Sequence, residues 1–331
     1  MASRSIVLIG GPDSGKTNYL ARLWPSFQRK KGELRADRIP DDISYVDGAV
    51  EHLMKGEFAP RSDRNLEVGR ADFSIDVRAG HGAGDLRTLM VPDISGELWT
   101  KAVSTSEISV EWLSVLQQAE GAILFVRHAS DQTVQPMDWV TARSVLNLFN
   151  GDEKVLGASE NLQAQPETND GGHTAPEAIE SAQEPVEGQA DDGLENSGHH
   201  QEDIPTQVLL CELLRYLNLL LADSADGSAP RVSIVVAAWD LVDPELRAEG
   251  PMRYLEREFP LFAGRLSCEN RLEVKVFGVS IVGGDLGDDP DFKAQYLERH
   301  ISDQGYVIVQ EADSVQTFAD VTLPIAWAVG E

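Results

Sequence analysis

The sequence predicts an α/β fold: a three-layer α/β/α sandwich around a mostly parallel sheet, with one antiparallel hairpin strand. Three observations predict it. A glycine-rich turn, Gly10-Gly11-Pro12-Asp13-Ser14-Gly15-Lys16-Thr17, stands between an apolar run of strand length and a helical pattern. A continuous apolar run at 122–126 and the apolar-rich stretch 232–237 read as strands buried on both faces, and 274–279 reads as a further strand. Helical patterns alternate with those runs, which builds a sheet covered on both sides. Ligands of such sheets bind beyond the carboxyl ends of the strands. The glycine loop, a turn at Asp93 and a turn at Asp240 each follow an apolar strand, so all three are expected at one site.

The first strand is 5–9, and the helix after the loop places Leu20, Leu23 and Trp24 at helical spacing. In a strand–loop–helix context, G-x-x-x-x-G-K-[ST] implies a nucleoside-triphosphate site. Gly10 and Gly15 permit backbone angles closed to other residues, so successive N–H groups, Ser14's among them, converge on a polyphosphate. Lys16 supplies a charge to the terminal phosphates, Thr17 offers a hydroxyl to magnesium, Asn18 is counted with the nucleotide-contacting residues, and the helix N-terminus adds partial positive charge.

The stretch 28–65 is polar, with a short helix at 49–54; it is either a mobile loop over the phosphates or an ordinary surface excursion. Period-two alternation predicts a strand at 72–78 and its return at 86–91 completes a hairpin. That hairpin ends in Pro92-Asp93-Ile94-Ser95-Gly96-Glu97. A helical segment follows, carrying Trp112, Leu113, Val115 and Leu116, then the 122–126 strand and a helix at 139–149. Beyond the gap described next come a Leu-rich helix at 206–222, the 232–237 strand, and a helix near 252–259. The 274–279 run is the last clear strand, followed by helices at 291–301 and around Pro324.

Composition changes abruptly between 151 and 205, with 14 Asp or Glu against one Lys and no aromatic residue. Such a segment cannot bury enough apolar surface to offset its ordering entropy. The expected organisation is therefore one domain made of 1–150 and 206–331, interrupted by a disordered acidic insertion at 151–205. The insertion is either a tether for a basic partner or a tolerated surface loop. Its His173, His199 and His200 read as solvated loop histidines.

A net charge of −27 argues against nucleic-acid and acidic-membrane partners, because phosphates need a basic face. Cys211 and Cys268 are far apart and form no metal-binding pair, which suits a reducing compartment. The longest apolar stretch, 208–221, is interrupted by Glu212, Arg215 and Asn218, so no membrane span is expected. Together these predict a cytoplasmic protein.

With the glycine loop, the Asp93-x-x-Gly96 spacing and Trp239-Asp240, the chain resembles the Ras-like P-loop GTPases. The resemblance implies that Asp93 holds magnesium opposite Thr17, that Gly96 senses the terminal phosphate, and that Asp240 reads guanine. Relatives carry Asn-Lys-x-Asp where this chain has Ala237-Ala238-Trp239-Asp240, so only Asp240 matches; Ser280 is the sole match to the base-contacting Ser-Ala-Lys loop. Trp239 either stacks on the base or caps the strand from the core. No Thr lies between Thr17 and Thr88, which leaves Ser62 as the best stand-in for the metal-capping switch threonine and Ser44 as second. Glu97 stands where relatives orient water, and either does so or simply begins a helix. Asp13 occupies a place linked to a monovalent cation, or stabilises the turn. Arg61, Arg64 and Arg127 are candidates to stabilise charge on the leaving phosphate.

The run from Gly10 to Asn18-Tyr19-Leu20, the 92–97 turn and Leu323-Pro324-Ile325-Ala326-Trp327 are similar to the bacterial double-GTPase group of predicted conflict and defence systems. That likeness implies a partner GTPase and a GTPase-associated protein. The leading expectation is a GTP-binding, slowly hydrolysing, magnesium-dependent switch. A non-hydrolysing interaction module and an ATP-using phosphotransferase are the alternatives.

Overall fold

The computed structural model describes residues 5–38, 43–59, 73–79, 86–91, 96–130, 133–135, 204–224, 227–311 and 314–330. Nine strands form one sheet: β1 (Ser5–Gly10), β2 (Leu34–Ala36), β3 (Phe73–Ala79), β4 (Leu86–Val91), β5 (Ala119–Arg127), β6 (Arg231–Ala237), β7 (Glu273–Ser280), β8 (Tyr306–Glu311) and β9 (Ser314–Phe318), in the order β2-β3-β4-β1-β5-β6-β7-β8-β9. The five central strands, β4-β1-β5-β6-β7, pair in parallel. Their carboxyl ends, at Val91, Gly10, Arg127, Ala237 and Ser280, therefore share one edge. β5 and β6 pair over seven registered positions, although 151–205 separates them in sequence.

The helices are α1 (Lys16–Gln28), α2 (Ser44–Met54), α3 (Gly96–Thr105), α4 (Val110–Gln118), α5 (Thr206–Leu220), α6 (Pro244–Glu249), α7 (Pro251–Glu258), α8 (Pro260–Ser267), α9 (Pro290–Glu298) and α10 (Leu323–Ala328). Strand periodicity divides the core between the two faces. Val7 and Ile9 of β1, with Leu124 of β5, pack against Trp99 of α3, Leu213 of α5 and Phe262 of α8. The alternate residues Ile6 and Leu8, with Phe125, pack against Leu20, Leu23 and Trp24 of α1 and Ile325 of α10. A sheet sandwiched between these helix layers is the three-layer architecture expected.

The observed sheet is more mixed than the expectation. Its parallel centre is flanked by antiparallel strands on both sides: β2 and β3 beyond β4, β8 and β9 beyond β7. The sequence reading ended the strands at β7: β8 has only a three-residue buried run, 307–309, and β9 exposes every residue, so burial imposes no alternation on it. β2 spans only three residues, too few to show a period. The helix read near 252–259 is α7, and two short helices that the sequence reading did not separate, α6 and α8, flank it; each of the three has proline in its first turn, where its missing N–H costs nothing. The segment carrying Trp112 is α4, with α3 ahead of it. The 139–149 helix and the 151–205 insertion lie outside the described residues. Among the described residues no helix is long and apolar enough to cross a membrane.

Candidate functional site

The glycine loop turns off β1 at the shared carboxyl edge and runs into α1. Gly15 caps α1 at φ 89, in the left-handed region where a Cβ is strained, so the glycine is required by the turn itself. Lys16 folds back over the loop, donating from Nζ to the carbonyls of Gly10 at 2.8 Å and Gly11 at 3.2 Å and to the Ser14 hydroxyl at 3.0 Å. Its ammonium is thereby held against the backbone of the glycine loop. Thr17 follows in the first turn of α1.

Gly96, the first residue of α3, lies directly on this loop. A Cβ there would fall 2.0 Å from the Pro12 nitrogen and 2.2 Å from the Gly11 carbonyl carbon, so only glycine fits. Asn18, expected to touch nucleotide, makes a different contact: its Oδ1 accepts from the Ala59 backbone N–H at 3.0 Å. It ties the start of α1 to the chain just ahead of 60–72. Glu97 follows Gly96 in α3. Asp93, Ser62, Arg61 and Arg64 lie outside the described residues, and Ser44 begins α2.

Asp13 adopts φ 53 in the loop. Arg127, at the carboxyl end of β5, donates through Nη1 to the Asp13 carboxylate and also to its carbonyl oxygen at 3.3 Å. The Ser130 hydroxyl donates to the other carboxylate oxygen at 2.8 Å. The carboxylate that the sequence offered to a monovalent cation is thus engaged by a guanidinium and a hydroxyl. Sequence reasoning named Arg127 as a phosphate-facing charge and did not pair it with Asp13; its place at the end of a continuous apolar strand was the available signal.

The turn at Asp240 is organised differently. Ala238 enters it at φ 56, and residues 239–241 form one turn of 3₁₀ helix. Asp240 is hydrogen-bonded by Ser280 from the end of β7, and burial, aided by nearby Asp285, pushes its carboxyl above the ordinary carboxylate range; Ser280 and Arg247 pull the other way. Arg247 Nη1 reaches the Asp240 carbonyl at 3.4 Å and the Tyr306 hydroxyl at 3.5 Å. Ser280 is itself fully buried and accepts from the Gly283 N–H at 2.8 Å, so it is a support for Asp240 rather than an exposed ligand.

The stacking role offered for Trp239 is corrected. Its side chain is 0% exposed, packs edge-on to Tyr254 with centroids 5.6 Å apart, and lies so close to β7 that a Cβ on Gly278 would come within 2.5 Å of it. A ring enclosed in this way has no face to offer a base. An isolated glycine inside β7 was the sequence signal for that close approach.

A glycine loop at the end of β1, its lysine and threonine opening α1, and an aspartate turn two strands away along the same edge define a P-loop nucleotide-binding protein of Ras-like arrangement. The chain belongs to the Double-GTPase 1 family, whose model matches residues 7–328. It is therefore a P-loop GTPase-family protein, a class that binds guanine nucleotides. No curated protein matches it significantly in sequence. Among solved structures it is similar to the signal recognition particle receptor SRb-GTP/SRX complex from Chaetomium thermophilum, at 14% identity and TM-score 0.34, over 89% of this chain and 98% of that one. It is also similar to Methanosarcina barkeri Roco2 RocCORdC bound to GDP, at 10% identity and TM-score 0.29, over 90% of this chain and 48% of that one.

Proposed function

We propose that this chain is a GTP-binding, slowly hydrolysing, magnesium-dependent molecular switch that acts with a partner protein. The observation that carries the reading is the contact of Gly96 with the Gly11–Pro12 backbone. The start of α3 rests on the phosphate loop, so a terminal phosphate entering that loop must push against or be grasped by the Gly96 backbone. Occupancy of the loop is then transmitted to a helix, which is what a switch requires.

The assignments follow from position. Lys16 and the N–H groups of 13–17 hold the phosphates, Asp240 supported by Ser280 accepts from the base edge, and Gly96 registers the terminal phosphate. Thr17 and Asp93, with Ser62, would hold magnesium, which would supply charge to neutralise the phosphates. The donor set is oxygen-only, as that ion demands. Glu97 directly follows the sensing glycine, and we assign it the handling of the attacking water. The family likeness suggests a second GTPase and a GTPase-associated protein as partners, in a bacterial conflict or defence system.

Single-turnover hydrolysis of GTP with magnesium tests this, read beside hydrogen exchange of α3 with GTP analogue and with GDP. Slow turnover and tighter exchange protection with the triphosphate are expected. Binding without turnover would favour the non-hydrolysing module, a reading that the missing Asn and Lys ahead of Asp240 supports. Identical protection in both nucleotide states would remove the switch.

A further inference from the structure

The phosphate loop of this chain contains a carboxylate, which is an unfavourable group beside a bound polyphosphate. Asp13 is that group, and both its oxygens are engaged from the end of β5, one by Arg127 and the other by Ser130. The ion pair is 32% and 33% exposed, so solvent screens it and it contributes little to folding stability. Its position gives it another use. Arg127 is in register with Ala237 of β6, and the next residue, His128, donates its N–H to the Ala237 carbonyl at 3.1 Å. Ala237, Ala238 and the buried Trp239 have no side chain that can reach the phosphate loop with a charge. Arg127 reaches it from the neighbouring strand, contacting both the side chain and the carbonyl of Asp13.

We propose that Arg127 is a positioning residue for the nucleotide: it neutralises Asp13 and, with Ser130, fastens the phosphate loop to the strand edge that carries the base turn. The proposal rests on the guanine-nucleotide reading of the site. Arg127 acts on the nucleotide through Asp13, so its removal exposes a repelling carboxylate, and removal of that carboxylate restores binding.

The experiment is a double-substitution cycle. Wild type, Arg127→Ala, Asp13→Asn and Asp13→Asn/Arg127→Ala are titrated with fluorescent GTP and GDP, with melting temperatures recorded and Lys16→Ala as control. Arg127→Ala is expected to weaken binding on the order of tenfold, the scale of one uncompensated charge at this range. Asp13→Asn alone should stay within about threefold of wild type, and the double variant should recover most of the loss. Arg127→Lys, which keeps the charge, should retain most of the affinity. A loss that persists in the double variant would overturn the proposal, because the guanidinium would then act on the nucleotide directly. Unchanged affinity in Arg127→Ala would overturn it as well. If Arg127→Ala does not fold, the double variant must bind like Asp13→Asn. Wild type that binds ATP or inorganic pyrophosphate instead of GTP would sink the guanine reading, and the cycle is then read with that ligand. Wild type that binds none of them refutes both.

Discussion

The glycine-loop turn and the Asp240 turn lie at the ends of β1 and β6 on one sheet edge, yet they are built by different means. The glycine-loop turn is made of backbone: a left-handed Gly15, an N-terminal helix turn, and Gly96 pressed onto Gly11 and Pro12. The Asp240 turn is made of side chains delivered from elsewhere, with Ser280 arriving from β7 to hold Asp240 and Arg247 from α6 to bind its carbonyl. Backbone sites demand particular residues at particular spacings. Side-chain sites demand only that some strand or helix bring a suitable group near, so their components can move along the chain.

The comparison is broken most forcefully at Lys16. Lys16→Ala should weaken triphosphate binding by roughly a hundredfold, as loss of several charge-assisted hydrogen bonds does, whichever base is attached. Calorimetric titration with GTP and ATP checks this, and retained affinity would mean the phosphates do not bind at the glycine loop.

Asp240→Asn is expected to act on the base alone. It should lower the preference for guanine by about ten- to a hundredfold while leaving affinity for inorganic pyrophosphate unchanged. The pH dependence has a definite sign. Because burial raises the Asp240 pKa, protonation on acidification starts above the ordinary aspartate range of about 4, and GTP affinity should fall with it. The same shift makes the folded protein bind more protons than the unfolded chain in that window. Asp240 therefore costs stability above its folded pKa, and this cost is relieved as pH falls toward the unfolded value. Asp240→Asn should accordingly raise the melting temperature at neutral pH and flatten the binding profile; a lowered melting temperature would contradict the desolvation account.

Gly96→Ala sharpens the claim that α3 rests on the loop. A Cβ 2.0 Å from the Pro12 nitrogen cannot be accommodated without displacement, so overpacking should cost about 1–3 kcal/mol in urea unfolding. The ratio of GTP to GDP affinity should fall toward one. An unchanged ratio would detach Gly96 from phosphate sensing. Trp239→Phe carries the smallest functional effect: stability should drop by about 1–2 kcal/mol from lost core packing, with guanine affinity within about twofold of wild type. A large affinity loss without a stability loss would restore the stacking role.

How far these features were legible follows the same division. β1, the glycine loop and α1 were readable because an apolar run, two glycines and a helical period coincide within 24 residues. Ser280 was legible only through family likeness, and the Asp13–Arg127 pair was not legible because 114 residues separate its members. Trp239 stood open between ligand and core, since a tryptophan beside an aspartate says nothing about which way its ring turns; Gly278, in another strand, decides it. β9 was missed where edge exposure erases the alternation that marks a strand, and β8 because its buried run, 307–309, is only three residues long.

The proposed function requires that one chain read phosphates with its loop and guanine with Asp240. Equilibrium titration of wild-type protein with fluorescent GTP and ATP analogues, at equal magnesium, tests it most directly. A carboxylate accepts from the N–H donors of the guanine edge and repels the acceptor nitrogen that adenine presents there. GTP binding at least about tenfold tighter than ATP is expected, the worth of one such charged hydrogen bond. Equal affinity, or preference for ATP, would contradict it.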